Sequence, residues 1–281
     1  MRRLSHSCLW RPLSLAGAGA TLPLAFAPWH AWWFAPWPLA VLFALAAPTV
    51  GMAARDGYLF GLGLFGVGLF WVHAGLVQFG LGLVPAIAAT AALVTVLAIF
   101  PAVAMGAARL LSRRPDPWRF MAVLPGTWVA MEWLRGWLFT GFPWLTLGYS
   151  QTAGPFGSRM APLTGVLGVS LLIAVVAGVL VWIGQSRARI ALRGLAFVSV
   201  VALVPVADAL PRVAWTRPTG PSIQAVLVQG NVAQARKWRA DALRSTLARY
   251  PRITTDHWDT ANVPFIDATA SLISDRIRRS G

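Results

Sequence analysis

The sequence predicts a mainly α-helical protein: a polytopic membrane helix bundle of about seven spans, followed by the start of an α/β domain. Three observations predict it. Of the 281 residues 57% are hydrophobic and only 12% charged, at a mean hydropathy of +0.63, which is membrane-protein composition. Apolar runs recur at about 12–28, 34–53, 58–79, 83–111, 119–139, 161–184 and 190–210, each near the ~20 residues that cross ~30 Å of hydrocarbon. Beyond residue 211 the pattern shifts to a turn-rich stretch and then to short strand-like and helical segments.

The first run follows Arg2, Arg3 and Arg11 and has the outline of a signal peptide, but apolar segments continue directly after it, so it reads as a membrane helix broken by Pro23. Trp29, Trp32, Trp33 and Trp37 then cluster where indole rings favour a membrane–water interface. The third run carries Gly57, Gly61, Gly63, Gly66 and Gly68; small residues at this spacing let helices approach closely, and no strand precedes them to make a phosphate loop. Arginines set the orientation. With the N-terminus inside, eleven (Arg2, Arg3, Arg11, Arg55, Arg109, Arg113, Arg114, Arg119, Arg187, Arg189, Arg193) fall on that side, and four (Arg135, Arg159, Arg212, Arg217) on the other, so residues from 211 onward are expected outside.

The fifth run leads into EWLRGWLFTGFPWLTLGYSQ, Glu132 to Gln151, which holds the sole glutamate of the sequence. Glu132 and Arg135 stand at i and i+3, neighbours on one helix face, and are expected to neutralise each other. Such a pair is either a structural tie or part of a functional site; both readings stay open. Gly141, Pro143 and Gly148 cannot comfortably continue the helix, and irregular backbone at membrane depth is tolerated only where protein or a wet cavity covers it. A covered, partly polar pocket near one face of the bilayer follows, with Glu132, Arg135 and Tyr149 as its structural or lining candidates.

After Pro211, residues 212–221 read as a linker with Pro218, Gly220 and Pro221. SIQAVLVQGN reads as a strand ending in a turn, and 240–250 as a helix with Asp241 complementing its dipole. The roughly 60 residues left are too few for a sheet buried on both faces.

The net charge of +15, from 24 Lys+Arg against 9 Asp+Glu, would suggest nucleic acid in a soluble protein. Here the arginines lie in short loops between apolar runs and face lipid headgroups, so no nucleic acid is expected. One cysteine, Cys8, excludes an internal disulfide, and His6, His30, His73 and His257 have no metal-ligand spacing. No metal or cofactor is expected.

The Glu-Trp-Leu-Arg-Gly, Gly-Phe-Pro-Trp and Gly-Tyr-Ser-Gln blocks, then Val-Gln-Gly-Asn and the Lys237-Trp238 pair, occur in the order seen in the apolipoprotein N-acyltransferases of the bacterial inner membrane, and the chain up to about Trp258 resembles roughly the first half of such an enzyme. The resemblance implies membrane helices carrying a periplasmic nitrilase-like (carbon–nitrogen hydrolase) domain. It implies a membrane domain at 1–211, an incomplete nitrilase-like domain at 222–260 and a divergent tail at 261–281. It further implies a multi-pass protein of the inner membrane, with the N-terminus cytoplasmic and residues 211–281 periplasmic, expected to be a monomer among membrane lipids.

The implied reaction moves a fatty acyl chain from a phospholipid donor to a cysteine thioester, and then to the α-amino group of the diacylglyceryl-cysteine of an apolipoprotein acceptor. Such chemistry needs a thiolate, a base and an oxyanion-stabilising cation, which the family supplies as Cys, Glu and Lys. None of the sole Cys8, the sole Glu132 and the sole Lys237 stands at a triad position. Where the family's catalytic Glu belongs, the chain reads ANVPFIDATAS, with Asp267 the nearest carboxylate and one methylene shorter. The expectation is a chain truncated or frame-shifted near residue 260 and inactive by itself. Trp238 matches a position near the family's active-site entrance and is a substrate-binding candidate, with an interfacial tryptophan as the plainer reading. The alternative function is a non-enzymatic membrane protein, a scaffold or a permease, although the helices show no internal repeat of the kind permeases carry.

Overall fold

A computed structural model describes residues 7–45, 47–114, 116–210, 225–228, 231, 240–256 and 263–266. The chain divides into two compact units, Met1–Val213 and Ala214–Gly281. The described residues are mainly helical.

In the first unit the helices are α1 (Ser7–Thr21), α2 (Pro36–Ala44), α3 (Val50–Gly68), α4 (Val72–Gln78), α5 (Leu83–Leu97), α6 (Ile99–Leu111), α7 (Leu124–Arg135), α8 (Ala161–Gln185) and α9 (Ile190–Ala209). Three helical stretches are long and apolar enough to cross a membrane: Leu83–Leu111, Phe156–Gln185 and Ile190–Ala209. Counting the bent pair α3 and α4 as one makes four.

Several of the apolar runs are not single helices. Run 34–53 splits because Thr49, extended and directly after Pro48, caps a new helix by accepting the Met52 N–H at 3.3 Å. Run 58–79 is the end of α3 joined to α4 across a 46° bend. Run 12–28 yields α1 and then a 3₁₀ turn, Leu22–Ala25, with Pro23 at the break.

Long-range hydrogen bonds tie the helices together at two ends. At one end Arg11 bonds the Leu45 carbonyl and pairs with buried Asp56, Arg109 Nε donates to the Pro48 carbonyl at 2.6 Å, and Gln185 Nε2 donates to the Ala44 carbonyl at 3.2 Å. At the other end Gln151 Nε2 donates to the Trp32 carbonyl at 3.0 Å, and Arg159 Nη1 to the Leu210 carbonyl at 3.1 Å.

Helix α3 is the hub, packed on α1 and on α6. A Cβ at Gly63 would run into the Ala16 carbonyl, one at Gly57 into the Pro101 carbonyl and one at Gly61 into Ala98. Gly66, in the same glycine series, faces open space. The series therefore packs toward α1 and toward α5–α6, Gly68 abuts the Leu145 side chain, and Gly66 alone of the five is unconstrained. Leu15, Phe43, Phe60, Leu64, Phe65 and Leu147 are among the large side chains sealed in the core. By contrast the most apolar part of Ile190–Ala209 is only 6% buried within the protein, against 50% for Phe156–Gln185 and 22% for Leu83–Leu111, so α9 is the least covered of the three.

The second unit contains β1 (Ala225–Val228), α10 (Ala240–Asp256) and β2 (Val263–Ile266). The strands pair in parallel, Ala225 opposite Val263 and Val228 opposite Ile266, with α10 between them in sequence: a βαβ unit. Helix α10 runs on through Pro251 to Asp256, further than the 240–250 expected from periodicity, and buries Tyr250 and Thr254.

Candidate functional site

The chain leaves α7 at Gly136 and returns over its end as an irregular loop, 136–155, before α8. The loop is strained. Phe139, Thr140 and Leu145 all have positive φ, which costs roughly 1–3 kcal/mol apiece and persists only where surroundings enforce it. Gly141 shares that conformation, and a Cβ there would strike the Gly136 carbonyl, so glycine is required.

Two buried ionisable residues enforce the loop. Glu132 Oε1 accepts the indole N–H of Trp128 at 3.1 Å and the backbone N–H of Leu147 at 2.8 Å. Arg135 Nη1 donates to the Phe142 carbonyl at 2.7 Å and to the Trp144 carbonyl, while Nη2 reaches Thr146 Oγ1 at 3.4 Å. The guanidinium also lies over the Phe65 ring, 5.3 Å from its centroid.

The expected Glu132–Arg135 ion pair does not form. Among the described residues the ion pairs are Arg11–Asp56 and Arg159–Asp208. The returning loop presents carbonyls to Arg135 and an N–H to Glu132. Satisfying those backbone groups outweighs a side-chain pair that would leave them orphaned. Ser170 of α8, next to the Glu132 carboxylate, accepts the Gly148 N–H at 2.8 Å, and Gln151 Nε2 donates to Ser150 Oγ at 2.8 Å.

The loop so fixed forms one wall of a cavity of about 680 Å³. Pro143, Trp144, Leu145 and Tyr149 face Pro23–Trp29 and the α3–α4 bend at Val67–Trp71 across it. Trp29, Phe70, Trp71, Trp144 and Tyr149 are each about half exposed or more. Trp71 and Trp144 pack with ring centroids 5.7 Å apart. Size and lining suit a largely apolar ligand.

Residues 18–179, which contain this whole cavity and both anchors, match the family model described as the apolipoprotein N-acyltransferase N-terminal domain. The chain belongs to that family. It is 43% identical over 261 residues to the apolipoprotein N-acyltransferase of Methylococcus capsulatus, covering 88% of this chain and 49% of that relative. It is 35% identical over 265 residues to that of Shewanella oneidensis (92% and 50%) and 38% identical over 245 residues to that of Ralstonia nicotianae (85% and 46%). The chain spans about half the length of the curated relatives it matches.

Within this family segment, Glu132 and Arg135 are loop anchors and Tyr149 lines the cavity. Trp238, Asp267 and Lys237 lie outside the described residues, and Cys8 sits in the first turn of α1. Sequence reasoning missed Trp128, Thr146, Ser170 and Gln151. Trp128 stands four residues before Glu132, a helical spacing that could have named it. Ser170 meets Gly148 across 22 residues, which no local pattern reveals.

Proposed function

We propose that this chain is the membrane half of an apolipoprotein N-acyltransferase of the bacterial inner membrane, and that its aromatic cavity receives the acyl chain of the phospholipid donor. The observation that carries the reading is the 680 Å³ cavity, framed by a loop that two buried ionisable residues hold in a strained conformation, inside the segment that matches the family. The whole reaction in this reading passes the acyl chain through a cysteine thioester to the N-terminal diacylglyceryl-cysteine of an apolipoprotein. A covalent step of that kind needs a nucleophile, a base and an oxyanion-stabilising cation in one place. Cys8, Glu132 and Lys237 are the only residues of their types here; Cys8 lies in α1 and Glu132 in α7, where Oε1 holds Trp128 and Leu147 and Oε2 is buried without a partner, so no nucleophile, base and cation are gathered among the described residues. These 281 residues therefore bind and orient lipid but do not transfer the acyl chain by themselves.

The reading includes seven passes, with the N-terminus cytoplasmic and residue 211 onward periplasmic. Support comes from the alternation of the ties: Arg11, Leu45, Asp56, Arg109 and Gln185 meet at one end, and Trp32, Gln151, Arg159 and Leu210 at the other. The 13 residues from Trp32 to Ala44 make a short second pass of ~20 Å at ~1.5 Å per residue, so the bilayer thins or the flanking tryptophans snorkel there. In the same reading 212–221 is a linker, the βαβ unit opens the nitrilase-like domain, and Trp238 sits at the lipid-substrate entrance. No observation favours a scaffold or permease.

The test has two parts. A phospholipid bearing a photoreactive acyl chain, incorporated with the chain into nanodiscs, is expected to label Pro143–Thr152 or the α3–α4 bend, and Trp144→Ala should reduce the yield; labelling confined to α9 would overturn the cavity assignment. Expressed in cells depleted of their own enzyme, the chain should leave a reporter lipoprotein without a third acyl chain by mass spectrometry. N-acylation dependent on this chain alone would overturn the division of labour.

A further inference from the structure

Arg119 begins the π-helical turn, Arg119–Val123, that leads into α7; it is buried, and its Nε has no hydrogen-bond partner. No carboxylate lies within ion-pair distance of it among the described residues. The charges that act on it are Arg109, of like sign, and Asp116, of opposite sign. Asp116 is already engaged, because its Oδ1 accepts the backbone N–H of Arg119 at 2.9 Å. Arg109 is fixed in place by Nε on the Pro48 carbonyl and Nη1 on the Arg113 carbonyl.

Residues 109–119 thus hold four arginines against one aspartate. Two like charges acting on each other, one of them on a buried side chain, are costly unless an anion lies near both. Leu110, Leu111 and Trp118 are well exposed on the same stretch, so whatever supplies the anion also meets an apolar, interfacial surface. An arginine pair is suited to phosphate, which it can grip with paired N–H donors.

We propose that Arg109 and Arg119 form a binding site for the phosphate of an anionic phospholipid, at the end of the bundle opposite the Glu132–Gln151 loop. The site goes beyond acyl transfer and is independent of it. The lipid locks the α6–α7 junction, as a counter-ion for a charge that the fold leaves unpaired.

The experiment uses the detergent-solubilised chain titrated with phosphatidylglycerol, phosphatidylcholine or inorganic phosphate, with bound lipid counted by native mass spectrometry. Phosphatidylglycerol is expected to bind, and Arg119→Gln and Arg109→Gln should each weaken it about fivefold, the factor for ~1 kcal/mol per arginine at a lipid surface. Arg119→Lys keeps the charge but loses the fork and should fall between. Arg187→Gln, exposed in the turn between α8 and α9, is the control and should change little. Equal losses in Arg187→Gln and Arg119→Gln, or equal binding of phosphatidylcholine, would overturn the site. Displacement of the lipid by millimolar inorganic phosphate would overturn the lipid as its occupant. Arg109 is only partly buried, so its variant still reads the site if the Arg119 variants fail to fold.

Discussion

Arg135 and Arg119 stand at opposite ends of one helical segment, about 24 Å apart at ~1.5 Å per residue, and both are buried. At the Arg135 end the chain folds back and fills the guanidinium with the carbonyls of Phe142 and Trp144, the Thr146 hydroxyl and the Phe65 ring. At the Arg119 end Nε is unpaired, and the charges acting on the guanidinium are another arginine, Arg109, and Asp116, whose Oδ1 is taken by the Arg119 backbone N–H. Burial alone therefore does not distinguish a structural arginine from one that awaits a ligand. What differs is whether carbonyls, hydroxyls or a carboxylate of the fold meet the guanidinium.

The largest effect should come from Arg135→Leu. It removes the donor from two loop carbonyls and a buried hydroxyl at once, at roughly 1–3 kcal/mol per stranded group, so a loss of about 3 kcal/mol or more is expected. Thermal denaturation in detergent reads the loss, and limited proteolysis should find new cleavage within 136–151. A melting temperature unchanged from wild type would break the comparison at its saturated end.

Glu132→Gln is expected to cost less, about 1 kcal/mol, because the amide oxygen can still accept from Trp128 and Leu147 while the charge assistance is lost. Combining it with Arg135→Gln sharpens the point. A direct ion pair would make the double variant more stable than the worse single one, since neither charge is stranded. With each side chain bonded to the loop instead, the double variant should be no more stable than Arg135→Gln alone. Rescue would restore the pair that the i, i+3 spacing suggested.

How much of this was legible follows from the range of the forces. Hydropathy is summed over some twenty residues, so the runs 161–184 and 190–210 map directly onto α8 and α9. Thr49 is a single capping residue inside an apolar stretch, and a window that averages over its neighbours passes across it. The Gly-Phe-Pro-Trp break was visible because glycine and proline act locally through backbone sterics. What the break does to Glu132 and Arg135 was not, because their partners are backbone groups up to 15 residues away on a chain that turns back. The Arg11–Asp56 pair, 45 residues apart, needed α1 and α3 to be packed first. Trp128 was within reach, four residues from Glu132 on the same helix.

The smallest effect on stability, and the sharpest test of the comparison, is Arg119→Leu. Replacing a buried, unpaired charge by an apolar side chain removes a desolvation penalty as well as any weak attraction to Asp116, and such replacements are often neutral or stabilising. Without added lipid the melting temperature should stay close to wild type, within about 0.5 kcal/mol in stability, although Arg119, like Arg135, is buried. With phosphatidylglycerol present the two proteins should part: wild type gains stability as a ligand binds the native state, by an amount that grows with lipid concentration, and Arg119→Leu does not. A large loss without lipid would mean that Arg119 already has its partners within the fold. A small loss without lipid together with a full gain on adding phosphatidylglycerol would place the anion elsewhere. Only the combination of a silent substitution and a vanished lipid response fits an arginine whose donors are left for a ligand.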